Sequence, residues 1–267
     1  MFISKNTWSM ALPHGTWPWW LKITPRLLSL VKPNNSFSDS MKCGWLCLLL
    51  LGFHDSTMAA RPFVTDDARL TNAGQCQLES WSRLYRDSKE FWALPACNPS
   101  GNFEVSLGTG VAYDIQGVRS QDYIIQGKTL VRQLNTDDWG WGLAAGHVMH
   151  PAINPGPNLM GNTYAYIPLS RSFQHDDIIV HANVGWLRDK ATGNHKRTWG
   201  LGGELKLSSR LLGIAEAFGD HTAPPYMQAG FRFAIRPDLF QVDMTVGRQQ
   251  HNNGDNRWVS FGLRYTP

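Results

Sequence analysis

A few histidine, serine and aspartate residues are the side chains whose spacing invites a catalytic or metal-binding interpretation. His147 and His150 are three residues apart in a segment that alternates apolar and polar positions. Residues three apart on a strand face opposite sides, so joint metal ligation is disfavoured. His147 or His181 beside a serine would imitate a barrel hydrolase, but His181 is predicted to face inward. Gly-x-Ser-x-Gly, phosphate-loop and cysteine-cluster motifs are absent. The sequence therefore predicts no catalytic residue, no metal site and no cofactor.

Asp66 and Asp67 form a lone acidic pair. Calcium needs further oxygen ligands, which this pair does not bring with it. A solvated segment, or a contact from an N-terminal plug, is the favoured interpretation.

Cys76 and Cys97 are the cysteines downstream of residue 60. A tight turn at Tyr85-Arg86-Asp87-Ser88 would fold a hairpin that places the two cysteines directly opposite each other. Opposed cross-strand residues approach closely enough for a disulfide, which an oxidising compartment permits. We therefore predict a Cys76–Cys97 disulfide; two unrelated buried thiols are the alternative.

The elements that position these residues are strands of about ten residues. Their side chains alternate apolar and polar, and a strand with that pattern is apolar on one face. No helical period competes over a comparable length. Aromatic residues recur near the segment ends, as is typical of transmembrane β-barrels. We predict an all-β, antiparallel transmembrane barrel over residues 76–267 with about twelve strands (ten to twelve): 76–86, 89–96, 102–113, 122–135, 138–149, 162–173, 177–188, 197–207, 211–219, 225–235, 239–250 and 257–265.

After the first hairpin, the predicted connections alternate between short and long. Barrels of bacterial outer membranes have short periplasmic turns and longer outer loops, so the alternation places both termini in the periplasm. Glu216, between Ile214 and Phe218, breaks the pattern of its strand, which indicates an offset or a bulge.

The two faces of the predicted wall differ in chemistry. The outward face carries apolar side chains such as Val242 and Phe261, with Trp139, Trp186 and Trp199 near strand ends. The inward face carries small residues and a mixture of charges. This mixture either pairs into a salt-bridged interior or lines a water-filled passage. The predicted lumen-lining residues are Glu79, Arg83, Glu104, Lys128, Arg132, Glu204, Lys206, Arg232, Asp243 and Arg264.

The first 75 residues divide into three predicted segments. Residues 41–60 have the form of a secretory signal peptide: Lys42, an apolar core from Gly44 to Phe53, and a small-residue exit. Residues 1–40 are predicted to be an upstream extension without a folded role, or else an amphipathic membrane-surface segment. Residues 61–75 are predicted to be a periplasmic N-terminal segment.

The net charge of the chain argues against a nucleic-acid partner. The formal charge is +4, but most of the basic excess lies in the first sixty residues. No stripe of Lys and Arg of the kind that nucleic-acid binding requires is present. The predicted partners are outer-membrane lipid, the barrel insertion machinery and a small-molecule solute. The chain closes on Tyr265-Thr266-Pro267 rather than on an aromatic residue, so Tyr265 would serve the insertion machinery from two positions in.

The segment Arg61-Pro62-Phe63-Val64-Thr65-Asp66-Asp67-Ala68-Arg69-Leu70, followed by Gly74 and Gln75-Cys76-Gln77-Leu78-Glu79-Ser80-Trp81, resembles Gram-negative outer-membrane proteins. These are similar to the family named for the meta-pathway of phenol degradation. The resemblance implies an outer-membrane barrel that transports small solutes, apolar or aromatic ones among them. A non-conducting structural or lipid-interacting barrel is the second hypothesis, and an outer-membrane lipid hydrolase the third.

Overall fold

The computed structural model describes residues 63–149, 163–189, 192–250 and 256–267. Most of them lie in twelve strands: β1 (Gln75–Tyr85), β2 (Ser88–Asn98), β3 (Phe103–Asp114), β4 (Arg119–Arg132), β5 (Trp139–Met149), β6 (Thr163–Phe173), β7 (Ile178–Arg188), β8 (His195–Lys206), β9 (Leu211–Asp220), β10 (Tyr226–Arg236), β11 (Phe240–Gln249) and β12 (Arg257–Tyr265). The predicted extension and signal peptide lie outside the described residues.

The strands close into one antiparallel barrel. Each strand pairs with its neighbours in sequence, and β1 pairs with β12 from Leu78↔Tyr265 to Tyr85↔Trp258. Closure satisfies every strand edge, which an open sheet would leave unpaired. The prediction of a twelve-stranded antiparallel barrel is confirmed. Among the described residues, no helix is both long enough and apolar enough to cross a lipid bilayer.

The predicted register of the first hairpin is confirmed. Cys76 and Cys97 are cross-strand partners in the β1–β2 ladder, with Cα atoms 4.0 Å apart, and form a disulfide. The bond lies at the short-turn end of the barrel, on its outer face beside Leu78. It ties β1 to β2 where the chain enters the sheet.

The strands alternate as the sequence predicts, with one informative exception. Val246 and Phe261, for example, are 57% and 45% exposed on the outer face. In β9 the apolar residues Ile214 and Phe218 instead face inward with Glu216 and are 3% and 0% exposed. The β9 ladders run without a register shift, so the predicted offset or bulge is wrong. From Gly213 onward the outward side of β9 carries small residues, and its large inward side chains fill the lumen.

The connections differ from the predicted lengths around β4. This strand begins three residues earlier than predicted, because Asp114 caps a tight turn: its carboxylate accepts hydrogen bonds from the backbone N–H groups of Gln116 and Val118 at 2.9 and 2.7 Å. Gly117 supplies the positive φ of 80° that this turn requires. A register shift between Leu130 and Arg132 then ends the strand early. The loop-end connection is therefore shorter than expected here, and the connection 133–138 at the opposite end is longer.

Candidate functional site

The lumen gathers most of the charged residues that the sequence assigned to it. Three opposite-charge pairs are direct cross-strand partners: Glu79 with Arg264, Glu104 with Lys128, and Arg232 with Asp243. Opposed charges on one face of a ladder stabilise each other, so register alone brings these charges together. The lumen-facing predicted residues that are buried are Glu79, Arg83, Glu104, Lys128, Glu204, Arg232, Asp243 and Arg264.

A close and buried ion pair also joins Arg232 to Glu204. Arg232 Nη1 donates to Glu204 Oε1 at 2.7 Å, and Arg232 Nε lies 3.9 Å from Asp243 Oδ2. The two side chains of the closest pair are 2% and 3% exposed. A buried charge is tolerated only when it is paired, so these residues depend on each other.

Arg132 and Lys206 do not line the lumen, contrary to the prediction. Both lie at strand ends and bind turn carboxylates: Arg132 with Asp138 at 2.7 Å, and Lys206 with Asp177 at 3.0 Å. The register shift beside Arg132 turns this residue out of the alternation. The hydrogen bond from Arg132 lowers the pKa of Asp138. Both pairs are substantially exposed and belong to the barrel rim.

Residues 63–74 form the N-terminal segment, which runs inside the barrel and joins the sheet at Gly74, whose N–H donates to the Asn98 carbonyl of β2 at 2.7 Å. The sequence predicted a periplasmic N-terminal segment over 61–75; the structure packs its residues 63–74 against the inner wall. Near the short turns, the backbone N–H and Oγ1 of Thr71 donate to Glu104 Oε2 at 2.8 and 2.6 Å. Asn98 Nδ2 donates to the Thr71 carbonyl at 2.6 Å. The segment therefore enters at the short-turn end.

Charge pairs hold the middle of the N-terminal segment. Lys128 Nζ lies 2.9 Å from Asp66 Oδ1 and 3.4 Å from Asp67 Oδ1. The hydroxyl of Tyr166 donates to Asp66 Oδ2 at 2.6 Å. Asp66 and Asp67 thus contact the wall as a plug would, one of the two interpretations that the sequence favoured over calcium.

The deepest contact of the N-terminal segment is with Glu216. Its two carboxylate oxygens accept the backbone N–H groups of Val64 and Thr65, each at 2.8 Å. Phe63 packs with Leu212 and Ile214, the inward apolar residues of β9. The inward-facing side chains of β9, which depart from the predicted alternation, therefore form the surface on which the N-terminal segment docks. The anomaly at Glu216 was visible in the sequence, but its partner was not.

Ser170, His181 and Glu204 line up inside the lumen in an order that resembles a hydrolase triad. Ser170 Oγ lies 2.8 Å from His181 Nδ1, and His181 Nε2 lies 3.9 Å from Glu204 Oε2. Ser170 Oγ also accepts the backbone N–H of Ala68 at 2.9 Å, which occupies the oxygen that would act as nucleophile. Ser170 and His181 are fully buried. This row of side chains anchors the N-terminal segment through the hydrogen bond from Ala68 to Ser170.

The loop-end half of the lumen is lined by aromatic rings. Trp81 and Trp92 stack with centroids 5.6 Å apart, and Tyr164 and Tyr166 stack at 6.1 Å. Trp92 lies against its cross-strand partner Gly110, where a Cβ atom would come within 2.6 Å of the indole ring. Glycine lets the ring lie flat against the wall. Gly247 with Trp258 and Gly146 with Tyr164 repeat this pairing.

A second aromatic group lies on β1, β9, β10 and β12. Trp258 lies between Tyr85 and Tyr226, with centroids 6.1 and 6.2 Å away, and Tyr226 stacks on Phe218 at 5.7 Å. Arg83 lies over the Trp258 ring at 5.6 Å and pairs with Glu90 at 3.2 Å. Glu90 is not among the predicted lumen residues, although its inward parity on β2 would have identified it.

The described lumen is filled. Phe218 and Trp258 are 0% and 3% exposed, and Val148 on the opposite wall is 1% exposed. Eight-stranded barrels are filled by their own side chains, whereas sixteen strands leave an aqueous channel. A twelve-stranded barrel lies between these sizes. Here wall side chains, among them Trp81, Val148 and Tyr164, pack into one buried cluster, and the N-terminal segment fills space beside β9 and β4.

Comparisons with known proteins agree with the barrel fold. A family model described as "Uncharacterised conserved protein UCP029691" matches residues 47–265. A KdgM porin structure has a TM-score of 0.52 at 9% identity, covering 71% of this chain and 98% of that one. The KdgM porin in complex with disordered oligogalacturonate gives 0.54 at 8% identity, with the same coverage. These structural likenesses show the fold alone. No curated protein sequence matches the chain.

Proposed function

Because the chain belongs to the family described as uncharacterised conserved protein UCP029691 and folds as a closed barrel, we propose that it is an outer-membrane channel for small solutes that is closed by its N-terminal segment. The observation that carries the proposal is the segment inside the lumen. The wall closes through β1 and β12 without it, so the barrel does not need the segment for its ladder. An occupant held by side-chain contacts can leave, whereas a strand of the wall cannot.

The outer face supports the membrane location. Every inter-strand edge is paired, and large apolar side chains such as Leu107, Phe231 and Val184 are more than half exposed. Such a surface is unfavourable in water and favourable in lipid.

The aromatic lining supports apolar or aromatic solutes. A solute entering from the loops would meet Trp81, Trp92 and Tyr164, together with Tyr226 and Trp258. Ring faces stack favourably on other aromatic molecules. This chemistry agrees with the resemblance to the family named for phenol degradation, and we propose an aromatic solute on these two grounds. We assign no catalytic step to Ser170.

A disulfide lock tests the channel. A Cβ atom at Gly202 would lie 3.5 Å from Thr65 Cβ, which suits a disulfide. We expect the oxidised Thr65→Cys/Gly202→Cys variant to lose flux of ions and phenol in proteoliposomes, and reduction to restore it. Wild type with and without reductant controls for the native disulfide, and each single cysteine variant controls for the substitution.

A loosening variant completes the test. Glu216→Gln loses the charge and one of two acceptors, so the N-terminal segment should leave more often and flux should rise. If the wild type and Glu216→Gln both insert and fold but pass neither ions nor phenol, the channel proposal fails. The non-conducting structural barrel, which the paired lumen charges favour, would then be the better function.

A further inference from the structure

The outer wall has a one-sided charge pattern. Within the twelve described strands, no outward-facing position carries an acidic residue. Basic residues do occur there, and most of them lie in the strand ends next to the loops. These exposed residues are Lys89, Arg119, Arg188, Arg197, Arg248 and Arg257. Arg171 lies near the opposite end, where register shifts also pair Arg132 and Arg236 with residues of the outer face. The wall therefore presents most of its positive charge at the loop-end membrane boundary.

The repulsion between these positive charges is most direct between Arg248 and Arg257. They are direct cross-strand partners on the outer face of β11 and β12. Like charges directly opposite each other destabilise a ladder. Among the residues that the structure describes, no carboxylate pairs with either guanidinium. An external anion would offset this repulsion.

An apolar groove continues from these arginines along the wall. Its volume is about 1140 Å³, and Arg248 and Arg257 contribute to its lining together with Val246, Val259 and Leu84. The groove forms because β9, from Gly213 onward, presents only small side chains outward, among them Ala217. Positive charge at the boundary and an apolar groove beneath it match the two halves of a lipid.

We propose that Arg248 and Arg257 bind the phosphate group of a lipid whose acyl chains lie in this groove. Arginine suits the role because its planar guanidinium donates two parallel hydrogen bonds to phosphate oxygens. The proposal rests on the membrane location in the proposed function and is independent of conduction. It identifies a lipid site on the outer wall, separate from the lumen.

Lipid titration followed by native mass spectrometry tests the site. The intact protein in detergent is titrated with phosphatidic acid and, separately, with diacylglycerol that has the same acyl chains. We expect phosphatidic acid to bind more tightly, and Arg248→Gln/Arg257→Gln to weaken it at least roughly tenfold. Arg248→Lys/Arg257→Lys should retain part of the affinity, because it keeps the charge but loses the planar fork.

A matched control separates this site from general charge. Arg210 and Arg236 are exposed at the short-turn end, and Arg210→Gln/Arg236→Gln removes the same charge. If this control weakens phosphatidic acid equally, or if diacylglycerol binds wild type equally well, the proposal is overturned. Displacement by an equal concentration of inorganic phosphate would also overturn it, since the site would then take a free anion.

The two proposals fail in different ways. If the protein passes no ions or phenol but still binds phosphatidic acid, the lipid site stands and the barrel is non-conducting. Flux without selective lipid binding would leave the channel and remove the lipid site.

Discussion

Two arginines that look equivalent in the sequence have different roles at the scale of single residues. Arg232 and Arg132 both lie on strands at inward parity. Arg232 is buried and bonds Glu204 at 2.7 Å, whereas the Arg132 side chain is 44% exposed and bonds Asp138 at the rim. Since burial decides what a lost partner costs, the two residues should respond differently to the same change.

We predict that Arg232→Met lowers the free energy of unfolding by about 3–5 kcal/mol, because it leaves Glu204 and Asp243 buried beside fewer positive charges. Arg132→Met should cost only about 0–1 kcal/mol, as expected of an exposed pair. Urea unfolding in lipid vesicles, followed by tryptophan fluorescence, measures both. Equal losses in the two variants would contradict the assignment of Arg232 to the lumen and Arg132 to the rim.

At the scale of elements, β9 departs most from the pattern of its neighbours. Its large side chains dock Phe63, and Ala215 and Ala217 form its outward face. A search for apolar alternation in the sequence assigns the large apolar side chains of β9 to the lipid-facing side. In the structure those side chains face the N-terminal segment instead. The two faces can be told apart by experiment.

We expect Ala215→Arg to destabilise the inserted barrel by about 2–4 kcal/mol, the cost of an arginine facing lipid near the bilayer midplane. Ala215→Leu, which enlarges the same outward side chain without charge, should change stability little. Folding titrations into vesicles provide the measurement. Tolerance of arginine at position 215 would show that β9 faces lipid with its other side.

At the scale of the whole molecule, the barrel and its occupant are separate structures. The ladder closes from β1 to β12 without residues 63–71, and the N-terminal segment contributes only contacts to the inner wall. The disulfide Cys76–Cys97 lies at the base of the segment, where it fixes the strand from which the segment enters. In the chain-entropy model such a loop stabilises by about 3 kcal/mol.

We predict that replacing residues 63–71 with a Gly/Ser linker of equal length leaves a folded barrel that conducts more and unfolds at lower urea. Conductance rises because the lumen loses its occupant. Stability falls because Glu104, Glu216 and Lys128 lose their hydrogen bonds and ion pairs, although water entering the lumen recovers part of the loss. Gel mobility before and after heating reports the fold, and planar-bilayer recording reports conductance. A variant that cannot form the barrel would show that the segment belongs to the folding core.

The sequence by itself determined the wall. Alternation is a property of neighbouring residues, so strands, faces, the closed all-β fold and the opposition of Cys76 to Cys97 follow from local pattern and turn position. It also placed most of the lumen charges, because parity is local too. Arg132 does not follow the alternation of its strand, because a register shift turns it away from the lumen. That shift depends on how β4 pairs with β5, which no local sequence pattern encodes.

Only the tertiary structure decided what fills the lumen. Val64 bonds Glu216 across a separation of 152 residues, and Ala68 bonds Ser170 across 102. Contacts of this range have no periodic signal, since they depend on the radius of the closed barrel and on the direction in which the segment before β1 turns. The same carboxylates and lysine would lose these partners if that segment lay outside. Folding it inward fills the part of the lumen that the wall side chains leave free.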